Sequence, residues 1–305
     1  MANVIELHGL RKEVRSRRGR VVAVAGLDLE VPAGGVFGFL GPNGSGKTTS
    51  IRCLLGLARP TAGDCRLLGA SVPRELPRVI GRVGALVEAP GVNPGMTAEQ
   101  TVSVLATVAG VGPRRVADVL DQVGLADRAD DATRGYSLGM RQRLGVAIAL
   151  LKDPELLILD EPANGLDPAG IREMRDLLRR LGDEGRTVFV SSHQLAEVQQ
   201  VCDRVGIVVG GRAIAAGTVA EVMAGSSSAA TLVRVSNRRA GYAALRAAGY
   251  AVEPVDGYLR VSGAPAEDAG QIARALGEHG LWPSELRPEE VSLEDVFLQL
   301  TETAA

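Results

Sequence analysis

The apolar positions of this chain fall into short runs separated by turn-forming residues. Val4–Leu7, Val21–Val31 and Val36–Leu40 are rich in β-branched and apolar residues and predict strands. A glycine-rich loop follows, and Gly46 to about Ala58 predicts a helix. Asp64–Leu68 and Arg82–Val87 read as further strands. From Thr97 through Leu125 the pattern turns helical, with Val102, Leu105, Ala106, Val116, Val119, Leu120 and Val123 apolar. Another helix is predicted from near Leu138 to Leu151. Leu156–Leu159 is uniformly apolar between Asp153-Pro154 and Glu161-Pro162, as in a strand buried on both faces. Thr187–Val190 and Val205–Val209 are strand-like and flank a helix from about Gln194. Strands alternating with helices predict an α/β core with a parallel sheet.

The texture changes at Gly225-Ser226-Ser227-Ser228, a small polar linker. Beyond it, Thr231–Val235 predicts a strand and Ala240–Ala248 a helix. Tyr250–Val255 and Tyr258–Val261 flank Asp256-Gly257, a strong hairpin signal. Ala266–His279 reads as a helix and Leu281–Leu286 as a strand. Ser292-Leu293-Glu294-Asp295 resembles a capping box opening a last helix. The expectation is a small α+β domain after a larger α/β one, which suits a chain of 305 residues.

Charge and composition mainly exclude. A formal net charge of −2 does not point to a nucleic-acid or acidic-membrane binder. Cys53, Cys65 and Cys202 are odd in number and form no CxxC pair, which argues against a disulfide framework or zinc site. His8, His193 and His279 show no metal spacing. No signal peptide is evident, and no apolar run reaches the ~18–20 residues of a membrane span. Two biases stand out. Only three of 34 basic residues are lysines, and no aromatic residue precedes Phe37.

One of those lysines sits where chemistry requires it. Gly41-Pro42-Asn43-Gly44-Ser45-Gly46-Lys47-Thr48 fits GxxxxGK[ST], with a strand before and a helix after. The glycines let backbone N–H groups turn toward phosphate oxygens, and the following helix offers its positive N-terminus to the same anion. Lys47 can reach the β- and γ-phosphates, and the Thr48 hydroxyl can ligate Mg²⁺. Leu156–Leu159 then ends in Asp160-Glu161. Burying adjacent charges is costly, so such a pair belongs at a ligand crevice at the C-terminal edge of the sheet. Asp160 is a candidate for Mg²⁺ and Glu161 for the general base that polarises water.

With these residues the sequence resembles the ATP-binding subunits of ABC transporters, over about residues 3–220. Tyr136-Ser137-Leu138-Gly139-Met140-Arg141-Gln142 looks like the family signature, usually LSGGQ. Asn164-Gly165-Leu166-Asp167 resembles the D-loop, and Ser191-Ser192-His193 the switch-histidine loop. Glu88, within Gly84 to Pro90, sits where the family usually has its Q-loop glutamine. The resemblance implies a P-loop ABC ATPase domain over 1–224, with a mostly parallel sheet core, an N-terminal antiparallel β part and a helical subdomain at about 92–152. A small accessory α+β domain at 225–305 completes the α/β fold. It implies ATP and Mg²⁺ as cofactors, with Gly41 through Thr49 (Thr49 included), Ser137, Gly139 and Asp167 at the nucleotide. Thr48, Asp160 and Glu88 fall to the metal, and Lys47, Glu161 and His193 to catalysis. Two such subunits, expected to be identical copies, would sandwich ATP. A separate transmembrane permease would hold them at the inner face of the membrane, on the cytoplasmic side, with no nucleic-acid partner.

The departures narrow this picture. Tyr136, Leu138 and Met140 replace the signature's leucine, first glycine and glutamine, and Glu88 replaces the glutamine. That combination resembles the drug-export and bacitracin- or lantibiotic-resistance type rather than importers. The alternative is an ABC-type ATPase acting on nucleic acid or the ribosome, but such proteins usually carry two cassettes, coiled-coil insertions or zinc motifs. The family also stacks adenine on an aromatic residue near position 14, which here is Val14. The basic segment Arg11–Arg20 around it keeps three readings open: a solvated hairpin, an arginine stacked on the base, or contact with nucleic acid or anionic lipid.

Overall fold

The computed structural model describes residues 2–16, 19–88, 91–224, 230–262, 269–289 and 292–303. It divides into two compact units, Met1–Val222 and Met223–Ala305. The Gly225–Ser228 linker lies outside the described residues, as do Ala89 and Pro90 of the Q-loop segment.

The first unit has two sheets. Strands β1 (Asn3–Ser16) and β2 (Gly19–Pro32) form a long hairpin, extended on the β1 side by β4 (Ala62–Leu67) and β5 (Ala70–Val72). All neighbours in this sheet are antiparallel. The second sheet has the order β10-β9-β3-β8-β7-β6, formed by β3 (Gly35–Leu40), β6 (Val83–Leu86), β7 (Leu156–Asp160), β8 (Thr187–Ser192), β9 (Arg204–Val209) and β10 (Arg212–Thr218). It is parallel from β9 to β6, and only β10 runs against its neighbour. Parallel strands covered on both faces must be apolar throughout. β7 is accordingly buried at all its positions.

Helix α1 (Lys47–Leu54) contacts both sheets. Ile51 and Leu54 share one core with Leu7, Leu27, Phe39, Ile158 and Phe189. Phe189 packs between Phe37 and Phe39, with centroids 5.8 and 5.2 Å away. Helices α5 (Pro168–Asp183) and α6 (Leu195–Val201) also pack on the parallel sheet, α5 on β3 and β8 and α6 on β3. The N-terminal strands, the phosphate-loop strand and the acid-bearing strand are thereby drawn to one core.

Several elements differ from the sequence pattern for local reasons. The helical stretch from Thr97 is two helices, α2 (Ala98–Ala109) and α3 (Pro113–Gln122). Gly110 ends α2 at φ +70°, and Pro113 opens α3, where its missing N–H costs nothing. A capping box between Thr97 and Gln100 starts α2. Helix α1 stops at Leu54, with Gly56 left-handed just beyond. Helix α5 was not expected, although Asp167-Pro168 is a start signal and Met174, Leu177, Leu178 and Leu181 form its buried face. Strands β5 and β10 and helix α7 (Val219–Ala224) are also additions. Helix α4 (Leu138–Leu150) falls where expected.

The second unit runs β11 (Ala230–Val235), α8 (Arg238–Ala247), β12 (Ala251–Val255), β13 (Tyr258–Ser262), α9 (Ala269–Gly277), β14 (Pro283–Pro288) and α10 (Leu293–Thr303). Its antiparallel sheet has the order β12-β13-β11-β14, a split β-α-β arrangement of ferredoxin-like topology. Asp256 and Gly257 turn the β12–β13 hairpin with φ +39° and +88°, as two-residue hairpins prefer. Ser292 and Asp295 cap α10 reciprocally at 3.2 and 2.9 Å.

Candidate active site

The site grows from the ends of β3 and β7. After β3 the chain turns through Gly41–Gly46, and its glycines are required there. A Cβ on Gly41 would stand 2.2 Å from the Val208 carbonyl oxygen, and one on Gly46 would stand 2.5 Å from that of Ala23. Gly46, at φ +102°, also caps α1, so the helix starts at Lys47. Lys47 is only 6% exposed, yet its ammonium is fully served. It donates to the carbonyls of Gly41 and Pro42 at 2.7 and 3.3 Å and pairs with Glu161 Oε1 at 3.3 Å. Those contacts compensate the cost of burying a charge.

The two acids are held by one buried hydroxyl. Ser191, at the end of β8, donates to Asp160 Oδ1 and accepts from the Glu161 N–H at 3.0 Å. Asp160 is buried. Glu161 has φ +50°, a strained conformation for a residue with a side chain. Its carboxylate is pinned on both sides, by Lys47 through Oε1 and by His193 Nδ1 through Oε2 at 2.8 Å. β8 lies between β3 and β7 in the sheet, which is why Ser191 and His193 meet both motifs.

An open cleft of about 330 Å³ lies over these groups, lined by Asn43 through Thr49, Glu161, Asn164, and Val21, Val22 and Ala23 from β2. The three β2 residues, together with Asn164 in the lining and Ser191 beneath the two acids, are parts of the site that sequence reasoning gave no role. The signal for β2 was an apolar pair, Val21-Val22, at the tip of a basic hairpin. Val14 is the cross-strand partner of Val21, but it lines a separate groove with Glu13, Arg15, Arg20 and Thr61. Within the basic segment, Arg11 and Arg20 both pair with Glu13, and Lys12 donates to the Arg59 carbonyl. Arg17 and Arg18 lie outside the described residues.

Other candidates stand elsewhere. Ser137 is exposed and caps α4, accepting from the Met140 N–H at 3.2 Å. Gly139 follows in the first turn of α4. Asp167 caps α5, accepting from the Gly170 N–H at 3.0 Å. Glu88, at φ +69°, is 66% exposed and pairs with Arg52 at the end of α1 rather than lining the cleft. Tyr136 has a structural reason for replacing leucine: it is buried, and its hydroxyl donates to the Arg128 carbonyl at 2.5 Å. The three cysteines are buried and free, and burial pushes the Cys65 thiol up to about 12. Among the described residues no cluster of three or more His, Cys, Asp or Glu side chains could hold a metal by itself.

A phosphate-loop lysine paired with a carboxylate whose other oxygen meets a histidine is an arrangement for nucleotide phosphates, and comparison with known proteins agrees. The family described as "ABC transporter" matches residues 24–164. The chain is 36% identical to the bacitracin transport ATP-binding protein BcrA of Enterococcus faecalis, covering 98% of this chain and 97% of that protein. The chain belongs to the ABC transporter family. It is also 45% identical to the ABC transporter ATP-binding protein YhcH of Bacillus subtilis, over 70% of each chain. Among solved structures it resembles cbiO1 of Clostridium perfringens, part of the ABC transporter complex cbiONQ. The TM-score is 0.64 and the identity 26%, over 73% of this chain and 92% of that one. As an ABC ATP-binding subunit the chain binds nucleotide and hydrolyses ATP to drive transport. Subunits of this kind work as dimers with a transmembrane partner. The relatives favour this reading over an ATPase acting on nucleic acid or the ribosome. No described helix is long and apolar enough to cross a membrane.

Proposed function

We propose that this subunit powers export of a peptide antibiotic or similar toxic compound, docked at the cytoplasmic face of the membrane on a separate permease. The observation that carries this is the match to the bacitracin transport subunit, which runs through both units of the chain. The test is co-expression with a candidate permease. Efflux-dependent resistance that needs both chains supports the reading, and resistance unaffected by deleting this chain removes it.

The geometry supports the following roles. The phosphate loop and the N-terminus of α1 receive the phosphates. Lys47 exchanges Glu161 for the β- and γ-phosphates, a trade of one anion for another. That exchange frees Glu161 to accept a proton from the attacking water. Ser191 keeps both acids in place while Lys47 moves. His193 has given Nδ1 to Glu161, so a hydrogen bond from Nε2 to a phosphate requires the doubly protonated ring.

The oxygen donors here fit Mg²⁺. Asp160 is a buried carboxylate oriented by Ser191, and the Thr48 hydroxyl lies in the first turn of α1. Mg²⁺ takes few protein ligands and fills its octahedron with phosphate oxygens and water. When bound it would neutralise charge developing on the transferred phosphate. For Glu88 to join Thr48 and Asp160, its ion pair with Arg52 has to open.

Ser137 and Gly139 would meet the nucleotide held by a second, identical copy, since they lie outside this chain's own cleft. Asp167 would approach the same interface from the start of α5.

A further inference from the structure

Glu88 brings a charge to a place where the family usually has a neutral glutamine, and Arg52 is paired with that charge. Strand β6 runs beside β7 with Leu86 next to Leu159, so Glu88, two residues past Leu86, emerges at the edge of the sheet where Asp160 and Glu161 stand. It has a left-handed backbone there, at φ +69°, and its carboxylate accepts a hydrogen bond from the Arg52 guanidinium. Arg52 lies in the last turn of α1. That helix buries Lys47, Ser50, Ile51, Cys53 and Leu54, and Thr48 and Arg52, four residues apart, share the face that remains. The residue that holds the carboxylate therefore stands one helical turn, about 6 Å along the axis, from the residue whose hydroxyl is assigned to the metal.

The charges around the cleft explain why this carboxylate needs a partner. Lys47 and Glu161 are the charged residues among the described lining, and Asp160, next to Glu161 in the chain, is buried. A nucleotide polyphosphate carries several negative charges and already meets those two carboxylates. A third carboxylate, free at the edge, would repel it, whereas one paired with Arg52 carries the net charge of a glutamine. The pair is also weak enough to open. Arg52 is 43% exposed and Glu88 66% exposed, and ion pairs between exposed groups contribute little. A divalent cation, which takes carboxylate oxygens directly, can therefore replace Arg52 on Glu88.

We propose that Arg52 is a positioning residue for Glu88: it holds the carboxylate and cancels its charge while no metal takes it, and it competes with Mg²⁺ for it. The pair lets a bare polyphosphate approach as it would approach a site with glutamine. It also adds a step that glutamine lacks, the exchange of a guanidinium for a metal ion on the same oxygens. Arg52 thereby sets how strongly nucleotide binding depends on the divalent cation. The proposal rests on the reading of Glu88 as a metal group beside Thr48 and Asp160.

Calorimetric titration of the full-length chain with AMP-PNP, a non-hydrolysable ATP analogue, tests it without turnover. Each variant is titrated in Mg²⁺ and in EDTA, and the readout is the gain in nucleotide affinity that Mg²⁺ brings. Arg52→Gln is expected to raise that gain about fivefold, because the uncancelled carboxylate repels the bare polyphosphate and meets the metal without leaving a partner. Arg52→Lys keeps the charge at a contact made by one guanidinium nitrogen, and should stay within about twofold of wild type. Glu88→Gln should lower the gain about tenfold. Adding Arg52→Gln to it should change nothing further, because the group that Arg52 acts through is gone. An unchanged gain in Arg52→Gln would overturn the proposal. So would the same rise when residue 88 is already glutamine, since Arg52 would then act on the nucleotide and not through Glu88. If Glu88→Gln leaves the gain unchanged, the metal reading of Glu88 itself fails. If Glu88→Gln lowers the gain and Arg52→Gln does not raise it, that reading stands and the proposal alone falls.

Discussion

Lys47 Nζ lies 3.3 Å from Glu161 Oε1, so the cation of the phosphate loop and the carboxylate that ends β7 are in direct contact. Neither charge is left without a partner. The pair is also reversible by design of its surroundings, since a phosphate can replace the carboxylate on Lys47 and His193 remains on the other oxygen. In the proposed mechanism, charge neutralisation in the ground state and release of the base on nucleotide binding are thus one event.

Glu161→Gln keeps the size and shape of the side chain and removes its basicity. ATP turnover is expected to fall by about 10²–10⁴-fold, the usual share of a general base. Binding should survive, and the variant should accumulate an ATP-bound dimer. Hydrolysis together with size-exclusion chromatography in ATP checks both. Turnover at the wild-type rate would remove Glu161 from the chemistry.

Gly46→Ala places a Cβ 2.5 Å from the Ala23 carbonyl oxygen at φ +102°. Strain of this kind costs about 1–3 kcal/mol, and here it falls on the loop that receives the phosphates. The expected result is more than a tenfold loss of nucleotide affinity in titration calorimetry. Gly44→Ala, with nothing within 4 Å but φ +81°, should be milder.

Under the proposed reading the base lies at the β2 end of the cleft, where the described lining residues are Val21, Val22 and Ala23 and include no aromatic ring. Aliphatic contact cannot tell purines apart, because discrimination needs hydrogen bonds to the base edge. ATP and GTP are expected to bind within about threefold of each other. Val22→Tyr should tighten both by about tenfold, in line with the ~1–3 kcal/mol of a base–aromatic stack. A strong ATP preference in competition binding would contradict this reading.

Asp153 joins the end of α4 to the start of β8. The Arg186 hydrogen bond, aided by Arg115, holds its carboxyl below the usual carboxylate range. A carboxylate with a lowered folded-state pKa adds stability above its unfolded value, and that stability is lost as pH falls through the folded value. Asp153→Asn should therefore melt lower than wild type at pH 7, and the two should converge in acid below about pH 4. Asparagine tolerates the left-handed backbone at this position, φ +50°, so the comparison isolates charge. Melting curves across pH decide it.

A buried core contact gives a simpler check. Phe189 is fully buried between Phe37 and Phe39. Phe189→Ala should cost about 3–5 kcal/mol in denaturant unfolding, through lost burial and the cavity left behind.

Much of this protein is set locally and is readable in the chain. The phosphate loop, the β7 run and its terminal acids, the capping signals and the Asp256-Gly257 turn each depend on residues close in sequence. Their physics is backbone sterics and periodic burial, which a linear pattern records. The helix split at Gly110–Pro113 and helix α5 were written in the same signals. Other features needed the folded chain. Glu88 met Arg52, and the tip of β2 was carried over the phosphate loop. Ser191 was placed between Asp160 and Glu161. Sheet order and helix packing decide which distant side chains meet, and those contacts depend on the whole core rather than on any one segment.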